Sequence, residues 1–108
     1  MTRCPVIMLA DRSISSIDSI ANSLEAGLSD VVDFVTTQSD NPTIAIAIGG
    51  DGTLIKHGRM LAKKSIPLVG VNSGRLGFLA KFDVESLIEN RRSVFVESPS
   101  ILNAMLLD

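Results

Sequence analysis

The chain has 108 residues, 45% of them hydrophobic and 20% charged, which suits one small globular domain or part of a larger one. A net charge of −2, with no Trp and no Tyr, argues against a basic or base-stacking nucleic-acid surface. A single cysteine, Cys4, rules out an internal disulfide and a Cys-based zinc site, and no apolar stretch is long enough to span a membrane. The expectation is a cytoplasmic protein without nucleic-acid or membrane partners.

Cys4 to Ala10 is a short, continuous apolar run, the pattern of a strand covered on both faces. Asp11 or Ser13 is expected to cap a helix carrying Ile14, Ile17, Ile20, Ala21, Leu24 and Leu28 at amphipathic spacing. Gly27 and Ser29–Asp30 are its expected terminators. Val31 to Val35 predicts a second strand, and Thr36 to Pro42 a polar loop. Thr43 to Ile48 predicts a third strand whose alternating Ala residues let a helix pack closely. Leu54 to Lys64 has helical composition, and Pro67 to Val71 is a further buried-strand run. Asp83 is the expected cap of a helix marked by Val84, Leu87 and Ile88. Val94 to Val96 and Ile101 to Leu107 are read as strands. This alternation predicts an α/β fold: a three-layer, Rossmann-like domain with a mostly parallel sheet.

Gly49-Gly50-Asp51-Gly52-Thr53 leaves the third strand and enters a helix. Glycine permits positive φ and lets the backbone approach a ligand without a Cβ in the way. The helix N-terminus adds unpaired N–H groups, together a phosphate cradle. A carboxylate beside phosphates repels them unless it takes a proton or engages a metal, so Asp51 points to phosphoryl transfer with a general base. Thr53 can bond a phosphate or cap the helix, and Lys56, His57 or Arg59 can supply a cation. A tight turn with Asp51 as a plain helix cap accounts for the same residues. The segment is neither a Walker A loop nor a GxGxxG fingerprint.

A second loop, Asn72-Ser73-Gly74-Arg75-Leu76-Gly77-Phe78-Leu79, follows the next buried strand. Parallel neighbours bring such loops to one sheet edge, where they form a crevice. Asn72 is alternatively a simple cap, and Phe78 a core residue rather than a stacking surface.

The two loops together resemble the NAD kinase family. The first is shared with diacylglycerol and sphingosine kinases; the second, as Asn-x-Gly-x-x-Gly-Phe-Leu, is much more specific. The resemblance implies phosphorylation of the 2′-hydroxyl of the NAD adenosine ribose, from ATP or polyphosphate, with Mg²⁺ or a similar divalent ion. It implies Asp51 as general base and Gly52 as a backbone contact to NAD. Gly49 and Gly50 would admit the phosphates, Lys56 would contact the nucleotide, and Asn72, Gly74 and Phe78 would line the pocket, with Thr53 beside them. The family's second, β-rich domain is missing from these residues. Residues 1–100 are therefore read as the nucleotide-binding domain, and 101–108 as the start of a strand leading onward. The full-length form is expected to be a homo-oligomer, and the short chain is doubtful as an enzyme alone. The alternatives are a lipid kinase of the diacylglycerol type and a non-catalytic nucleotide-binding module. Met60 and Met105 are read as core, His57 as no metal ligand, and the pairs Lys63–Lys64 and Arg91–Arg92 as solvated helix ends.

Overall fold

The computed structural model describes residues 3–35, 44–64, 66–73 and 82–97. Four parallel strands form one sheet: β1 (Cys4–Leu9), β2 (Val32–Val35), β3 (Ile44–Gly49) and β4 (Leu68–Asn72), in the order β2-β1-β3-β4. Helix α1 (Ser15–Gly27) joins β1 to β2, and α2 (Asp51–Ala62) joins β3 to β4. The first crossover runs outward on one side of β1 and the second on the other. Right-handed connections then put α1 and α2 on opposite faces of the sheet. The three-layer α/β expectation is borne out.

Every residue of β3 is buried. Ile44, Ile46 and Ile48 join the core beneath α1, with Leu24, Leu28, Val69 and Leu87. Ala45 and Ala47 face the other way, among Ile7, Leu54, Leu61 and Leu68. Alternate side chains of a strand point to opposite faces, so this one strand serves both layers. Its small Ala side carries α2 and its large Ile side carries α1.

The helix ends differ from the sequence reading in several places. Ile14, not Asp11 or Ser13, is the N-cap residue of α1, and it makes no side-chain cap bond. The Asp11 carboxylate instead accepts from the backbone N–H and hydroxyl of Ser13, a local turn that uses up the expected cap. Ile14 is accordingly exposed. Gly27 ends α1 and lies against Ile88; a Cβ there would sit 2.5 Å from Ile88 Cδ1. Helix α2 begins at Asp51, three residues before its first core side chain, Leu54.

Asp83 caps helix α3 (Val84–Glu89), as the sequence predicts, and Ser86 completes a reciprocal capping box with it. Val94 to Val96, read as a strand, belongs instead to a π-helical turn, Ser93–Glu97. Val94 N–H bonds Asn90 C=O at 3.0 Å, so the chain keeps turning after α3. Consecutive Val94 and Phe95 are both buried in the α1-side core, which a strand's alternation would prevent. Arg91 is not merely solvated: it pairs with Asp30 at 3.0 Å and donates to Ile88 C=O at 2.9 Å. Met60, read as core, is 41% exposed on the outer side of α2, opposite the row Leu54, Gly58 and Leu61. Gly74, Phe78, Met105 and the run 101–107 lie outside the described residues.

Candidate functional site

The strand order reverses between β1 and β3, because the chain leaves β1 toward β2 and returns on its other side. In open α/β sheets the crevice beyond such a reversal, at the carboxyl ends of the strands, is where ligands bind. The glycine loop lies at this place. Leu9 pairs with Ala47 near the end of β1, and β3 continues to Gly49. On the other side Gly49 pairs with Asn72, the last residue of β4. Neighbouring strands lie about 4.8 Å apart, so the Gly49 and Asn72 loops leave the sheet side by side. Asn72 is half-buried, and its N–H donates to Phe82 C=O at 3.0 Å.

Gly50 is the N-cap residue of α2, with extended backbone, φ −91° and ψ −177°. Asp51 is the first helical residue and is half-buried. The plain-cap reading of Asp51 is therefore not what the helix uses: the cap position is a glycine with no side chain. A carboxylate in the first turn is favoured by the helix dipole.

The three glycines have different surroundings. A Cβ on Gly49 would meet Thr53 at 2.9 Å, so packing inside the protein requires glycine there. Around Gly50 and Gly52 a Cβ would meet nothing within 4 Å. None of the three has the positive φ that the motif suggests. Neither backbone conformation nor internal packing thus demands glycine at 50 or 52. What their bare surfaces provide is access for a ligand. Gly52 and Lys56, four residues apart, share one face of α2, and both are exposed. Asp51 opens the same turn, so a carboxylate, open backbone and a cation are gathered at one helix start.

The sequence reading left the loop after β1 out of the site. It borders the same reversal, but its charged groups are engaged locally. Arg12 bonds Asp18 at 3.1 Å, Asn22 at 2.9 Å and Glu25 at 2.8 Å, all on α1. Only the strand order, which no local pattern encodes, makes this loop a neighbour of Gly49. His57 is a second unforeseen feature: its Nδ1 is buried and has no hydrogen-bond partner. Burial, and then the charge of Lys56, hold its pKa below the ordinary 6.5.

Comparison with known proteins agrees with this geometry. The profile of the ATP-NAD kinase N-terminal domain matches residues 9–96. The chain belongs to the NAD kinase family. A 69-residue stretch is 39% identical to a NAD kinase of Trichlorobacter lovleyi, covering 64% of this chain and 24% of that protein. Over 88 residues the chain is 30% identical to a NAD kinase of Clostridium tetani, covering 81% of this chain and 32% of the relative. A NAD kinase of Haemophilus influenzae is 43% identical over 70 residues, again 24% of its length. The chain thus spans about a quarter to a third of the NAD kinases it matches. Among the described residues, no group of three or more His, Cys, Asp and Glu could hold a metal ion, and no helix is long and apolar enough to cross a membrane.

Proposed function

We propose that this domain carries the catalytic base and the phosphate loop of a NAD kinase. In this reading a phosphoryl group passes to the 2′-hydroxyl of the NAD adenosine ribose from ATP or polyphosphate. The observation that carries it is the junction of β3 and α2. Half-buried Asp51 sits there between two glycines whose bare Cα atoms face open space, beside the end of β4.

Asp51 accepts the proton of the attacking hydroxyl as the new P–O bond forms and the donor's terminal phosphoanhydride bond breaks, releasing the shortened donor. The backbone at Gly50 and Gly52 approaches nucleotide and phosphates, and the N–H groups of the α2 start carry part of their charge. Lys56, on the same face as Gly52, supplies a cation. Asn72 borders the pocket, with Gly74 and Phe78 expected to complete it. A divalent ion such as Mg²⁺ would neutralise charge on the transferring phosphates. One carboxylate, Asp51, is compatible with its usual habit of binding few protein ligands and several phosphate and water oxygens.

The test is Asp51→Asn in the full-length protein. NADP formation is expected to fall by roughly 10²–10⁴-fold with the fold unchanged by circular dichroism, the usual contribution of a general base. Turnover near wild type would remove Asp51 from that role. Offering diacylglycerol in competition with NAD separates this reading from a lipid kinase.

A further inference from the structure

We propose that Thr53 is a positioning residue: its branched side chain seats over the bare Cα of Gly49 and sets where the α2 start, and Asp51 with it, stands against the sheet. The proposal rests on the reading of Asp51 as the base.

The contact is defined by what it excludes. A Cβ on Gly49 would lie 2.9 Å from Thr53 Cβ, 2.9 Å from Cγ2 and 3.1 Å from Oγ1. Real Cβ atoms essentially never come this close to the first two, so Thr53 occupies the volume that any side chain at 49 would need. Both branches straddle that volume. The contact therefore uses the shape of a β-branched residue, and the hydroxyl is not needed for it. Stiff χ1 rotamers make such a residue a good wedge.

The two partners link a fixed point to a functional one. Gly49 is buried and held in register with Asn72. Thr53 lies two residues beyond Asp51, within the first turn of α2. That turn has no side-chain cap, unlike α3, whose Asp83–Ser86 box fixes its start. Its backbone closure is the Leu54 N–H bond to Gly50 C=O at 3.1 Å, which begins on a glycine that nothing packs against. The wedge of Thr53 on Gly49 ties that turn to the buried end of β3.

The experiment compares Thr53→Val, which keeps both branches and loses the hydroxyl, with Thr53→Ser, which does the reverse for one branch. Full-length protein is used, with amide exchange over residues 51–55 and steady-state kinetics with NAD and ATP. Thr53→Val is expected to keep wild-type amide protection over residues 51–55. Thr53→Ser and Thr53→Ala are expected to lose protection and lower kcat by roughly tenfold or more at little-changed KM, as for a slightly misplaced reacting group. Gly49→Ala should be worse, and adding Thr53→Gly, which removes the Cβ at 2.9 Å together with both branches, should recover part of that loss, because neighbours in contact are not additive. A Thr53→Ser that keeps amide protection beside a Thr53→Val that loses it makes the hydroxyl the anchoring group and overturns the proposal. Additive losses in the double variant overturn it as well. If wild-type protein phosphorylates no NAD, the reaction reading fails by itself, while amide exchange and the double variant still decide the wedge.

Discussion

At the scale of residues, His57 has the sharpest consequence. Its Nδ1 is sealed from water without a partner. Protonation would place a second N–H donor there with nothing to accept it, so the folded chain favours the neutral ring. Its pKa is lowered by burial first and Lys56 second. The unfolded chain then binds more protons below the ordinary 6.5, and stability must fall as pH drops through that value toward the folded pKa. We expect the urea midpoint to decline as pH is lowered through about 6.5, and His57→Leu to flatten that decline. A flat wild-type profile would contradict the assignment. Asp11 and Asp83 act in a separate window. Hydrogen bonds from Ser13 and from Ser86 lower their pKa values below 3.8, so their contribution is lost only at more acid pH. The motif residues Asp51 and Gly52 were legible from sequence. The isolation of His57 was not, because an orphaned nitrogen depends on what packs around it.

At the scale of elements, the domain uses missing side chains as packing devices. Gly27 lets α3 approach α1 through Ile88. Gly27→Ala would gain about 1 kcal/mol of helix propensity. It would also force a methyl to within 2.5 Å of Ile88 Cδ1. Overpacking of this kind costs about 1–3 kcal/mol, so the net effect is a loss. Ile88→Ala, which removes Cδ1 and the Cγ1 that would lie at 2.8 Å, should make Gly27→Ala far less costly; a thermal-melt cycle on the four proteins checks this. Ala45 and Ala47 do the same for α2. Ala47→Ile should destabilise by a similar ~1–3 kcal/mol and displace the helix start that bears Asp51, seen as lost amide protection there. Strands and helices were readable because buried parallel strands are nearly continuous apolar runs. The exception was Val94–Val96. Its β-branched composition suits a strand, but both Val94 and Phe95 are drawn into one core, and packing overrides propensity. Met60 failed for the complementary reason: in a helix, position on the wheel decides burial, and apolar character alone does not.

At the scale of the whole molecule, a net charge of −2 conceals a division between the two faces of the sheet. The α1–α3 layer bears Asp18, Glu25, Glu85 and Glu89, partly offset by Arg12 and Arg91. On the other layer, Lys56, Arg59 and Lys63 follow one exposed side of α2, with Asp51 as that helix's sole acid. Steps of three and four residues stack these cations into a row about 10 Å long. At low salt, a short inorganic polyphosphate should therefore shift the amide resonances of α2 and leave those of α1 and α3 in place. At about 1 M salt, where screening acts within about 3 Å, the shifts should vanish. Shifts spread over both layers would rule out the polarity. The location of the site was only half legible. Two glycine loops after buried strands announced a crevice, but the position of β1 between β2 and β3 rests on contacts far apart in sequence.

That placement also dictates an order of assembly. Among the described residues β1 is the one link between β2 and the rest of the sheet: Cys4 must find Val32, and Val6 must find Ile44. No pairing is a hairpin, so each has to await a whole crossover, and chains with such distant partners fold slowly for their size. During synthesis the Cys4–Leu9 segment precedes both its partners, and its β3 edge stays unpaired until the strand bearing the glycine loop has followed. Removing it would deprive β3 of one neighbour as well as detach β2. Destabilising replacements in β1 should accordingly slow refolding far more than equal losses in α3, a difference that stopped-flow measurements on Val6→Ala and Leu87→Ala can read.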